Sequence, residues 1–196
     1  MPLNIEPRSN EDFVPYVKFD AKAGRWFVKA DSGDEQEVRD MTALFDLQNI
    51  KLGWLLFNEG AAPEATWDNG KVEAQPTPKH RRGFSINVFS PQKLGGLREL
   101  RSNSNAAISA IKSLYEQQYE IAPEAKKGLV PVVTCENVLP IKSKFGTNYQ
   151  PVLKITKWVP RPEGLPGAGI GRAPSEEEVP PPNEAKPAAE TQGEEF

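Results

Sequence analysis

The chain has 196 residues with 24 Lys and Arg against 27 Asp and Glu, a net charge of −3, one cysteine and one histidine. One Cys excludes an intrachain disulfide framework and fits a reducing compartment, while no apolar stretch approaches the ~20 residues of a membrane span and Met1-Pro2-Leu3-Asn4 lacks the basic and apolar regions of a signal peptide. A cytoplasmic protein is therefore expected.

The charge is unevenly placed. Residues 1–159 hold 21 bases and 19 acids, whereas residues 160–196 hold three bases and eight acids, with Phe196 as their only aromatic ring. The first stretch is long enough for one domain with a single core. The second, rich in Pro and Glu, is expected as a disordered acidic tail.

Residues 13–30 read as a hairpin. Phe13, Val17 and Phe19 alternate with Val14, Tyr16 and Lys18, and Ala23-Gly24 turns the chain into Arg25-Trp26-Phe27-Val28-Lys29. Residues 31–37 read as an acidic loop. Residues 41–47 and 50–57 follow as strands, the second with Ile50, Leu52, Trp54 and Leu56 on one face, which puts Trp54 in the core. Residues 60–77, punctuated by Pro63, Asn69-Gly70 and Pro76, read as a long loop holding Trp67.

Residues 83–89 form a strand with Phe84, Ile86 and Val88 on one side and Phe89 on the other. A helix is predicted from about Asn103 to Tyr119, where Ala107, Ile108, Ile111, Leu114 and Tyr115 recur at helical spacing. Ser102 or Asn103 is available to cap it, and Pro123 with Gly128 ends it. Residues 129–138, 141–145 and 149–159 close the domain as strands, the last two joined by Gly146-Thr147-Asn148, with Cys135 a buried strand thiol. Trp158 shares a face with Lys154 and Thr156, where it either stacks on a ligand or covers an end of the fold.

Many short strands with one helix inserted late predict a mainly β fold rather than a doubly wound parallel sheet. The expected form is an OB-like closed antiparallel barrel with one inserted α-helix, spanning residues 1–159, followed by the tail over 160–196.

Candidate binding chemistry begins with the first hairpin. If Val17, Phe19, Trp26 and Val28 face the core, then Tyr16, Lys18, Arg25, Phe27 and Lys29 share the other face. Two rings among three cations suit a nucleic-acid single strand, because rings stack on bases while cations track phosphates. Residues 79–101 add the most basic window in the chain, with Lys79, Arg81, Arg82, Lys93, Arg98 and Arg101 against Glu99 alone. Phe89 and Trp67 supply further rings, and His80 reads as part of this band.

Enzymatic signals are poor. His80 and Cys135 are far apart in sequence, and no Gly-rich phosphate loop is present. Asp31, Asp34, Glu35, Glu37 and Asp40 lack the spacing of a calcium loop. No catalytic residue, metal or cofactor is expected.

The chain resembles the phage-type single-stranded DNA-binding proteins, which have an OB core and an acidic tail with a final aromatic residue. The resemblance rests on Lys51-Leu52-Gly53-Trp54-Leu55-Leu56-Phe57, on Trp158-Val159-Pro160-Arg161-Pro162, and on Glu194-Glu195-Phe196. It implies sequence-tolerant coating of single strands during replication or recombination, with Glu194, Glu195 and Phe196 recruiting partner proteins. The protein is expected to be a monomer or weak homodimer. Alternatives are an RNA-binding OB protein, a metal-dependent nuclease using the acidic loop, and a scaffold protein with no nucleic-acid role.

Overall fold

The computed structural model describes residues 15–29, 33–58, 62–144 and 146–167. Ten strands are present: β1 (Tyr16–Asp20), β2 (Arg25–Lys29), β3 (Glu35–Val38), β4 (Thr42–Phe45), β5 (Lys51–Leu56), β6 (Glu64–Trp67), β7 (Arg81–Ser90), β8 (Gly96–Ser102), β9 (Val130–Ser143) and β10 (Gly146–Val159). Among the described residues three α-helices join them: α1 (Pro91–Leu94), α2 (Asn105–Leu114) and α3 (Pro123–Lys126).

All ten strands belong to one sheet, in the order β10-β9-β4-β7-β8-β1-β2-β3, with the β5–β6 hairpin attached to β7. The long β7 organises it. One edge of β7 carries β8, and the other carries β5 along its first half and β4 near its end. The β1–β8 pair is parallel, and the remaining pairs are antiparallel.

The sheet is not closed, which corrects the expected closed barrel. Its outer strands are β3 and β10, and no ladder joins them. Contact across the gap includes a backbone bond from Tyr149 N–H to Ala21 C=O, 2.7 Å long, beside the turn at Gly24. A cleft of about 230 Å³ lined by Gly24, Glu37, Asp40, Cys135 and Glu136 lies between the β2–β3 end and β9. Short, acidic β3 presents no apolar side chain that would draw a strand against its free edge, since Glu35, Gln36 and Glu37 are all exposed.

Local chemistry explains most elements. Alternation buries Val17 and Phe19 on β1, Trp26 and Val28 on β2, and Phe84, Ile86 and Val88 on β7, as the spacing predicts. Against this face α2 lays Ala107, Ala110, Ile111 and Leu114. Ser104 caps the helix by accepting from Ala107 N–H, just past the caps expected from sequence. The last part of the predicted helix, Tyr115–Tyr119, is a π-helical turn. Trp158 stacks on Tyr119 with ring centroids 5.7 Å apart, so it covers the end of the core.

Several elements differ from expectation. The acidic loop becomes β3, and the long loop contains β6. β9 runs unbroken through Pro140, and Gly146, Thr147 and Asn148 belong to β10. Cys135 is half-buried, and burial raises its thiol pKa. On β5 the buried residues are Gly53 and Leu55, whereas Leu52 is 49% exposed and Trp54 is half-buried. Leu52 borders a groove of about 430 Å³ between β5, β7 and α2, also lined by Ile50, Phe84, Ile108 and Ile111. Trp54 is therefore not core: its Nε1 donates to Glu73 C=O at 2.7 Å, and Arg82 lies over its ring.

Beyond the boundary drawn at residue 159, the chain continues to pack on the domain as far as Gly167. Leu165 is buried, and Arg161 forms a two-pronged ion pair with buried Asp46 at 2.5 and 2.9 Å. No helix among the described residues is long and apolar enough to cross a membrane.

Candidate nucleic-acid interface

Opposite the core lies an outer face built from six strands, on which Leu55 and Ser85 are buried beside their exposed ladder partners Arg81 and Lys51. Ladder register places Trp67 (β6) beside Gly53 (β5), which pairs with Gly83 (β7), and aligns Lys51, Ser85 and Arg101 across β5, β7 and β8. Glu99 on β8 is level with Tyr16 on β1, and Lys18 is level with Phe27 on β2. At ~4.8 Å per strand, the five intervals from β6 to β2 span roughly 24 Å.

Three of the rings on this face have a cation close by. The Arg101 guanidinium lies 5.5 Å from the Trp67 ring centroid, Lys18 Nζ 5.8 Å from Phe27, and Lys29 Nζ 5.9 Å from Tyr16. Ring and cation interleave, as the first hairpin predicts.

The charge is more balanced than expected. Because β3 pairs with β2, Glu37 falls level with Phe27 and Glu35 with Lys29, on the same outer face. Lys18 Nζ sits 2.6 Å from Glu35, and Arg25 Nη1 sits 3.0 Å from Glu37. Tyr16 also donates its hydroxyl to Glu35 at 3.2 Å. The Lys18 hydrogen bond holds the Glu35 carboxyl below its ordinary pKa, while burial, followed by donation to Glu35, raises that of Tyr16.

On β8, Arg101 pairs with Glu99 at 2.7 Å, and Ser85 donates its hydroxyl to the same carboxylate in a short bond. The sequence offers Glu35 and Glu37 only as acidic-loop residues and Glu99 as the lone acid of the basic window, with no place for them among the rings and cations. Their cross-strand positions carried the missing signal.

The remaining basic residues do not form one band. Arg81 is exposed on the outer face, but Arg82, its neighbour on β7, points to the other face, where Asp68 accepts from both its terminal nitrogens at 2.9 and 2.6 Å. Arg98 is buried, because period-2 alternation on β8 turns it inward with Leu100; its Nη1 donates to Leu97 C=O. Lys93 lies in the last turn of α1, beyond the far end of β7. Ten residues of strand separate it from Arg81 by roughly 30 Å.

Phe89 does face outward, yet its ring packs against Gly164, where a Cβ would stand 2.7 Å from Phe89 Cε2. Lys79 is exposed in the turn before β7. His80 is buried rather than part of a basic surface; its Nδ1 is 2.8 Å from Thr77 Oγ1. Lys51, exposed on the outer face, is a further cation of the site that the apolar pattern of its strand hides in the sequence. Glu194, Glu195 and Phe196 lie outside the described residues, as do Phe13, Val14 and Asp31.

Compared with protein families, curated proteins and solved structures, the chain gives no match.

Proposed function

We propose that the outer face binds single-stranded nucleic acid, with single-stranded DNA as its ligand, without reading sequence. The observation carrying this reading is the placement of Trp67, Tyr16 and Phe27 on one open face, each with a cation beside its ring. Bases stack on such rings whatever their identity, and each stack contributes about 1–3 kcal/mol. Exposed Lys51 and Arg81 border the Trp67 end and would meet phosphates there. On this reading the open sheet, with α2 inserted before its last hairpin, is a variant of the OB arrangement. The protein would coat and protect cytoplasmic single strands during replication or recombination, and the acidic segment containing Glu194, Glu195 and Phe196 would recruit partner proteins.

Titration with oligo-dT at low salt tests the proposal through tryptophan emission. Stacking on Trp67 should quench it, and the absence of quenching or of any retained oligonucleotide overturns the reading. Competition with the matched RNA oligonucleotide distinguishes a preference for RNA, because ring stacking does not read the sugar.

A further inference from the structure

The outer face is electrostatically divided. At the β5–β7 end, Lys51 and Arg81 hold no carboxylate among the described residues. At the β1–β3 end, Glu35 takes Lys18 at 2.6 Å and Glu37 takes Arg25 at 3.0 Å, while Tyr16 donates to Glu35. These carboxylates come from a strand locked in register by the Phe27–Glu37 and Lys29–Glu35 pairs, so they are fixed features of the face.

We infer that β3 lays two phosphate surrogates across the binding face: Glu35 and Glu37 exclude the nucleic-acid backbone from Lys18 and Arg25, leaving Tyr16 and Phe27 to take bases alone. The inference rests on the proposed nucleic-acid reading and deepens it. A cation already matched by a carboxylate releases no counterion when a phosphate approaches, so it adds nothing to the salt dependence of binding. To reach it, the phosphate must also displace or lie beside a like charge. Stacking of bases on the Tyr16 and Phe27 rings meets no such obstacle. A strand crossing the face should therefore engage phosphates at Lys51 and Arg81, beside the base on Trp67, and engage bases alone over β1 and β2.

The experiment measures affinity of the full chain for fluorescently labelled oligo-dT against salt concentration, comparing wild type with Glu35→Gln/Glu37→Gln, Phe27→Ala and Lys51→Ala. Freeing Lys18 and Arg25 should steepen the plot of log affinity against log salt by about 1.4, the sum for two single-strand phosphates at ~0.7 each, and tighten binding at low salt. Phe27→Ala should weaken binding equally at every salt concentration and leave the slope unchanged. Lys51→Ala should flatten the slope by about 0.7.

An unchanged slope in the double glutamine variant overturns the surrogate role even though DNA binds. Unchanged affinity in Phe27→Ala removes the β1–β2 half from the path and overturns the inference, while Trp67 quenching preserves the general reading. Failure of the wild type to bind overturns both.

Discussion

The Trp67 ring packs over the bare α-carbon of Gly53, its ladder partner: a Cβ on Gly53 would stand 2.9 Å from Trp67 Cε3 and would also collide with the Thr66 carbonyl. Gly53 is thus what lets β6 close on β5 with a large ring lying across the pair. Gly53→Ala should destabilise the protein by about 1–3 kcal/mol, as overpacking in a filled space does. It should also shift the emission of Trp67, because the ring must move. Urea unfolding followed by fluorescence and far-UV dichroism checks both.

A second close relationship ties residues 160–167 to the domain. Asp46 is 1% exposed, accepts from Arg161 through both carboxylate oxygens, and receives a further bond from Asn49. Hydrogen bonding to Asp46 raises the Arg161 pKa, so the guanidinium facing this buried carboxylate stays charged. Arg161→Met leaves a buried carboxylate short of its counter-charge and should cost about 3–5 kcal/mol. Adding Asp46→Leu should recover part of that loss, since removing both charges removes the desolvation penalty as well. Chemical unfolding of the single and double variants measures the recovery.

How far the fold was legible follows from how local its causes are. Alternation on β1, β2 and β7 fixes which side chains face the core, and Tyr16, Lys18, Arg25, Phe27 and Lys29 come together as that alternation requires. β3 was hidden because Glu35-Gln36-Glu37 has weak strand preference by itself. Its strand conformation is supported by pairing with β2 and by ion pairs to cations of β1 and β2. β8 was hidden for a related reason: its parallel partner β1 is some eighty residues away in sequence, and buried Arg98 breaks the apolar pattern of its inner face. A basic window in sequence also differs from a basic surface. Strand alternation keeps Arg81 on the outer face and turns Arg82 and Arg98 to the inner one, while Lys93 lies in α1 past the end of β7.

Acid should weaken the fold through its paired carboxylates. Glu35 is held low mainly by the Lys18 hydrogen bond, Asp20 by the Ala23 backbone N–H, and Asp68 by Arg82. Each has a lower pKa folded than unfolded, so its contribution is fully present above the unfolded value and disappears as the pH falls through the folded one. Stability at fixed urea should therefore hold through neutral pH and decline once the pH drops below the ordinary carboxylate range of about 4. Lys18→Met should make the decline shallower by returning Glu35 toward its ordinary value. An equal decline in wild type and variant would show that this pair contributes nothing to acid sensitivity.

The four tryptophans offer the most direct separation of binding from folding. Trp26 is buried against Phe19 with ring centroids 5.1 Å apart, and Trp158 stacks on Tyr119. Trp54 lies under Arg82 on the face away from Trp67. Trp67 lies with Arg101 on the proposed binding face. Replacing Trp67 with Ala should lower single-strand affinity by about 1–3 kcal/mol, one lost stack, and abolish most of the quenching by oligo-dT. Trp158→Phe should leave affinity and quenching intact, since that ring serves the core. Retained quenching in the Trp67→Ala protein would move the binding face elsewhere on the sheet, and Trp54 would then be the ring to replace next.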